Sequence, residues 1–242
     1  MRFNAPLSLD RADRLISLLG VGPGDHLLDV GCGTGQFLLR AIRATLADGL
    51  GLDVDREALA KARVAAAEDD LLRRVASFEE RDVRERGLPA GRFDGAVCIG
   101  STHAFSMGDG AYPGALDAMA RAVRPGGRIL LGEGYWQREP DPDYLAFLGE
   151  PTGIYRDHKG NVDFAEARGL IPLYAAVSTL DEWDDFEWSH RMAVELQARR
   201  HPDDPKWRDR LKASRRWRDA YLKWGRGTMG FGFYLFEVPS AP

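Results

Sequence analysis

Cysteine is nearly absent from this chain: Cys32 and Cys98 are the only two among 242 residues. Two thiols with no histidine cluster beside them support neither a disulfide framework nor a zinc site. Both fall in apolar or loop contexts, so each reads first as a structural residue. No spacing of His, Asp and Glu suggests a metal centre, and none is expected. Long apolar runs are missing as well; none approaches the roughly 20 residues that a membrane helix needs. The opening stretch MRFNAPLSLDRADR carries charges early and has no apolar core of a signal peptide, so the expected location is cytoplasmic. Charge of one sign is also lacking. Lys and Arg number 33 against 37 Asp and Glu, a net −4, which gives the whole molecule no field for nucleic acid. Neither internal repeats nor low-complexity segments occur.

What is present suits one α/β domain with an elaboration: 44% of residues are hydrophobic and 29% charged, over a length that buries a full core. The periodicity predicts a helix over residues 7–19, ended by Gly20, Gly22 and Gly24. A short apolar strand over 26–30 runs into GCGTG, followed by a helix over 36–46. Asp48 and Gly49 read as a turn before a second strand at 50–54. An Ala-, Leu- and Arg-rich helix follows at 56–67. Further strands are expected at 77–81, 93–99 and 128–132, with a helix at 115–123 stopped by RPGG. A helix at 164–168 precedes a sixth strand at 171–178, and the last strand covers 231–238. Strands and helices alternating in this way indicate a doubly wound, mostly parallel sheet with right-handed crossovers.

Two stretches break that rhythm. Residues 135–161 are rich in Pro, Gly and acid. Residues 181–226 read as two long helices, the second with Trp207, Leu211, Ser214, Trp217, Tyr221 and Trp224 on one stripe. That stripe is too apolar to face water and is expected to pack on the first inserted helix, the pocket mouth or a second subunit. Residues 133–188 carry thirteen acids against four bases, and 199–226 eleven bases against four acids. Two solvated faces attracting each other within one domain explain this better than a nucleic-acid patch.

The chemistry concentrates in three motifs. In LLDVGCGTGQF, Gly31, Gly33 and Gly35 sit on the turn between a buried strand and a helix, where backbone approaches a ligand and the helix presents free N–H groups. Dinucleotide dehydrogenases use G-x-G-x-x-G; here the third glycine comes one residue early, which argues against a nicotinamide cofactor. In GLDVD, Asp53 ends the second strand eighteen residues beyond Gly35, where a carboxylate can accept from both ribose hydroxyls of a nucleoside. Asp55 is the alternative and reads first as a helix cap. In RDV, Asp82 can accept from an adenine amino group and Val83 can cover the ring.

Together these residues resemble the class I S-adenosylmethionine-dependent methyltransferases, strongly from Leu27 to Leu131 and weakly on to Val238. The resemblance implies a seven-stranded sheet in the order 3-2-1-4-5-7-6, its last strand antiparallel. It implies S-adenosylmethionine as cofactor, bound by Asp29, Gly31, Cys32, Gly33 and Gly35 in the first loop, by Asp53 and Val54, by Asp82 and Val83, and by Gly100 after the fourth strand. Residues 1–180 and 230–242 are then the methyltransferase core, and 181–229 a helical insertion serving as a lid over the acceptor. The GEGYW stretch, with two helices before the last strand, resembles bacterial methyltransferases of unassigned substrate.

The implied reaction is attack of a nucleophile on the sulfonium methyl, governed largely by positioning and needing a base only when the nucleophile is protonated. His103 and Glu133 are the candidates for that base. A loop histidine bonded to backbone and a capping glutamate are the plainer readings. Tyr135, Trp136 and His190 are candidates to contact the acceptor, with core packing the alternative, especially for Trp136. Base-amino methyltransferases carry Asn/Asp-Pro-Pro-aromatic after the fourth strand; here GSTHAF stands there, so a small-molecule acceptor is expected rather than RNA or DNA. A non-catalytic cofactor-binding protein stays open, as does the oligomeric state.

Overall fold

The computed structural model describes residues 3–240. Its seven strands are β1 (His26–Val30), β2 (Asp48–Asp53), β3 (Ala76–Glu80), β4 (Phe93–Ile99), β5 (Val123–Trp136), β6 (Ile171–Val177) and β7 (Met229–Glu237). Eleven α-helices occur among the described residues. The first six are α1 (Leu9–Leu19), α2 (Gln36–Thr45), α3 (Arg56–Ala67), α4 (Asp70–Val75), α5 (Val83–Arg86) and α6 (Ala111–Ala122). The rest are α7 (Pro142–Leu148), α8 (His158–Glu166), α9 (Leu180–Arg200), α10 (Pro205–Ala220) and α11 (Arg226–Thr228). One sheet holds the strands in the order β3-β2-β1-β4-β5-β7-β6, and β7 runs antiparallel to both of its neighbours. This is the expected order and direction.

Alternation along the central strands sends side chains to two cores, one on each face. Leu27, Val97, Leu130, Phe233 and Leu235 pack with α1 and α2 on one side. Leu28, Val30, Ala96, Cys98, Leu131, Tyr234 and Phe236 pack with α6 and α8 on the other. Truncating any one of the fully buried leucines to Ala costs about 2–5 kcal/mol. Cys98 is fully buried there, and burial pushes its thiol well up, so its expected structural role holds.

Local chemistry explains most element ends. Ser8 caps α1, which stops at Gly20 with φ 68°. The Asp55 carboxylate accepts from Glu57 N and Ala58 N, so the acid read as a cap is one. Thr179 and Glu182 form a reciprocal capping box at α9. Several bounds differ from expectation. Asp48 and Gly49 are not a turn but the first pairs of β2 against His26 and Leu27. The helix foreseen at 115–123 starts earlier, at Ala111. The one foreseen at 164–168 spans His158–Glu166, because Asp157 caps it and accepts from Gly160 N.

The aromatic stripe packs only in part. Trp217 is 41% exposed, with its ring against Phe147 of α7 and its indole N–H donating 3.0 Å to Glu187 Oε2. Trp224 stacks on Tyr144 at 5.8 Å. Between α9 and α10, Arg191 donates to the Ser214 carbonyl and Arg215 to Glu195, while within α9 Arg191 also holds Glu187, the acceptor of the Trp217 indole. The acid-rich and base-rich stretches meet, as expected, in the Asp184–Arg226 ion pair.

Candidate active site

Parallel strands end together at one edge of the sheet, and that edge is where loops are free to hold a ligand. Gly31 N and Cys32 N both donate to the Leu52 carbonyl, at 2.8 and 3.1 Å, which folds the loop after β1 over the end of β2. Gly31 and Gly33 have φ of 73° and 54°. A Cβ on Gly31 would stand 2.3 Å from Ser101 Cβ, so that glycine lets two loops close up. A Cβ on Gly33 would meet nothing within 4 Å. It would project into open space, and Gly33 lines a cleft of about 500 Å³. No side chain caps the amino end of α2 at Gly35.

Three acids line that cleft, Asp29, Asp53 and the helix cap Asp55. Asp53 accepts from Gly33 N at 2.7 Å and from Asp55 N at 2.9 Å, tying the glycine loop to the end of β2. Asp29 is 4% exposed, and its carboxylate makes no hydrogen bond among the described residues. Burial first, and the Asp53 charge second, push it up to about 7. Cys32 also lines this cleft, its thiol raised far above its usual range by burial.

A smaller cavity of about 130 Å³ shares Gly31, Asp53 and Ser101 with the first and holds Val54, Asp82 and Val83. Val83 is buried and Val54 is 62% exposed. Asp82 caps α5 and is gripped by Arg84, whose Nη2 donates 2.7 Å to Oδ2. Arg84 holds its carboxyl below the usual carboxylate range, so an amino group arriving there competes with this guanidinium.

Beyond Gly100, a third cavity of about 360 Å³ opens over β5. Glu133 lines it and is 9% exposed. Its Oε2 accepts from Thr102 Oγ1, and its Oε1 accepts from Gly134 N at 2.9 Å. Burial raises it to about 7, against the opposing pull of those two hydrogen bonds. His103 lines all three cavities, is exposed, and has no hydrogen bond among the described residues, so the plain reading of a backbone-bonded loop histidine does not hold.

Three expected acceptor contacts lie elsewhere. Tyr135 turns away, with its ring 5.4 Å from His158 and hard against Gly230. Trp136 is buried between Tyr144 and Tyr155, the core alternative. His190 is exposed, its ring edge-on to Phe186, outside the lining of these cavities. Period-two alternation puts Trp136 on the face opposite Glu133, whereas Tyr135 shares the face of Glu133 but lies further along β5, where its ring packs on His158. The walls come instead from Tyr155, Phe231 and the first turns of α9, through Trp183 and Phe186. Asn4 and Ala5 cover the junction of the first and third cavities. That segment is fixed by Ser178 Oγ donating to the Pro6 carbonyl and by Glu182 accepting from Ser8 N at 3.1 Å. Thr102 was visible in GSTHAF but carried no signal of its own; nothing in the sequence marks Tyr155.

Sheet order, glycine loop and strand-end acids together define a methyltransferase of the doubly wound class. Residues 27–127 match a family model described as a methyltransferase domain. Residues 27–127 thus carry a methyltransferase domain, and the sheet order is that of the class I S-adenosylmethionine-dependent methyltransferase fold. It is 26% identical over 213 residues to the uncharacterized protein YjhP of Escherichia coli, covering 84% of this chain and 80% of that one. It is 34% identical over 171 residues to the 27-O-demethylrifamycin SV methyltransferase of Amycolatopsis mediterranei, covering 71% of this chain and 55% of the relative. Among solved structures, an S-adenosyl-L-homocysteine complex of a methyltransferase from Geobacter sulfurreducens superposes with a TM-score of 0.86 at 23% identity, covering 98% of this chain and 93% of the other.

Proposed function

We propose that this protein transfers a methyl group from S-adenosylmethionine to a small-molecule nucleophile seated over Glu133. One observation carries the reading. The glycine-loop cleft, with its strand-end acids, joins the cavity over Glu133 through shared residues at Gly100 and His103. The residues present fit the cofactor: Gly33 leaves space, Asp53 stands at the cleft wall, and Asp29 is a buried carboxylate with no hydrogen bond among the described residues.

When bound, S-adenosylmethionine supplies an electrophilic methyl on a sulfonium. Asp53 would accept from the ribose hydroxyls while keeping Gly33 N. Asp29 would face the cationic amino-acid end, and Val83 with Asp82 the adenine. Glu133 is the base: its raised basicity matches proton removal near neutral pH, and Thr102 fixes one oxygen so that the other faces Gly134 and the cavity. His103 forms the shared wall between donor and acceptor. The helical insertion 181–229 serves as the lid, with Trp183 and Phe186 excluding water from the acceptor.

Calorimetric titration with S-adenosylmethionine and with NAD tests the reading. We expect micromolar binding of the first, about −8 kcal/mol, and none of the second; the reverse would overturn it. The acceptor class is checked by comparing metabolite pools with bulk tRNA, which should not be methylated.

A further inference from the structure

The acceptor cavity carries two carboxylates, the rings of five Phe, Tyr and Trp residues, one histidine and no lysine or arginine among its described residues. Glu133 lies at its floor and Glu150 on its rim, with Tyr155, Trp183, Phe186 and Phe231 as walls. Burial first, and then the charges of Glu133 and Glu150, raise the Tyr155 hydroxyl far above its usual range, and all three residues line the same cavity. One guanidinium acts on Glu133 from nearby, that of Arg156. It lies 3.9 Å above the ring of Phe164 and lines none of the cavity.

We infer that the acceptor is an amine, bound as an ammonium ion and methylated on nitrogen. The inference rests on the methyltransferase reading and deepens it. Aromatic faces and carboxylates attract a cation, and neither suits a carboxylate or phosphate ester. The ammonium gives its proton to the Glu133 carboxylate. The freed nitrogen lone pair then forms the new N–C bond, the C–S bond breaks, and its electron pair stays on sulfur. The positive charge thus moves from sulfur to the methylated nitrogen, where the Glu150 carboxylate and the aromatic walls stabilise it in the transition state while Glu133 holds the proton. A hydroxyl acceptor would instead leave a developing oxyanion beside Glu150. Glu133, raised to about 7, is also better matched to an ammonium than an ordinary carboxylate is.

The test uses matched acceptors with the intact enzyme: 2-phenylethylamine, 2-phenylethanol, 4-ethylphenol and 3-phenylpropanoate. The amine should be methylated at least roughly tenfold faster than the other three. A non-reacting probe gives a second readout. Phenyltrimethylammonium should bind the complex with S-adenosylhomocysteine, and Glu150→Lys should weaken that binding about tenfold or more while leaving S-adenosylhomocysteine affinity unchanged. Glu150 is exposed, so the variant folds. Faster methylation of the phenol, the alcohol or the acid would overturn the amine assignment and leave the methyltransferase reading standing. So would unchanged probe binding in Glu150→Lys. Loss of cofactor binding in the wild type would instead remove the reading beneath it.

Discussion

The two halves of the site are built from different material. On the β1–β2 side the ligand surface is backbone: a glycine loop, an uncapped helix end and two strand-end acids, all within 27 residues of sequence from Asp29 to Asp55. On the β5 side it is side chains gathered from the amino-terminal segment, the loop after β4, Tyr155, α9 and β7. Backbone recognition requires particular residue types at fixed offsets, since only glycine tolerates the φ values and only an acid accepts two hydroxyls. Side-chain recognition requires only shape and charge, which many sequences supply. The first half therefore holds a common cofactor, and the second is free to vary with the acceptor.

The change with the largest expected effect is Gly33→Val. Its Cβ meets no protein atom, so the fold survives with about 1–2 kcal/mol of strain at φ 54°. The added branches fill ligand space, and S-adenosylmethionine binding should fall by roughly a hundredfold or more, read by calorimetry. If affinity survives, the loop is not the cradle.

Glu133→Gln should separate the halves most cleanly. We expect kcat to fall about 10²–10⁴-fold with cofactor affinity intact. In the wild type, kcat/KM should climb as pH rises through about 7, because burial holds Glu133 protonated below that point and the carboxylate is the active form. The climb should vanish in the variant. An unchanged profile assigns the base elsewhere, with His103 the next residue to test by His103→Ala.

That division also explains what was legible beforehand. The strands followed from periodicity, while the sheet order and the cofactor roles expected from Asp29 to Val83 came from the family resemblance that the glycine-loop and strand-end motifs carry. Glu133 could be read because it ends its run at the edge of an open sheet. Tyr135, Trp136 and His190 stand outside the cavity lining, Trp136 in the core packing favoured for it from the sequence, because aromatic type says nothing about which way a side chain leaves its strand or how a helix is rotated. Trp183 and Phe186 do line the cavity, and helical spacing alone did not separate them from His190 one turn later. The stripe on α10 read as apolar, yet Trp217 satisfies its N–H at Glu187 and leaves much of its ring in water.

A smaller effect is expected from Asp53→Ala, about 2 kcal/mol or thirtyfold in cofactor affinity, because the loop amide and the ribose lose one acceptor together. Trp183→Ala should raise acceptor KM about tenfold and change cofactor affinity by less than about twofold; equal losses on both would place the lid over the cofactor. The smallest signal is a proton. Asp29, raised to about 7 when empty, must ionise beside a cationic ligand, so S-adenosylmethionine should bind more tightly as pH rises through 7 and release a fraction of a proton on binding. Titrations in buffers of differing ionisation heat measure it.

The most direct single measurement is a crystal structure with S-adenosylhomocysteine. The account predicts the ribose hydroxyls on Asp53, the amino-acid end against Asp29 and Gly33, and the sulfur opening toward the cavity over Glu133. A ligand whose sulfur points away from Glu133, or whose ribose lies clear of Asp53, would contradict it.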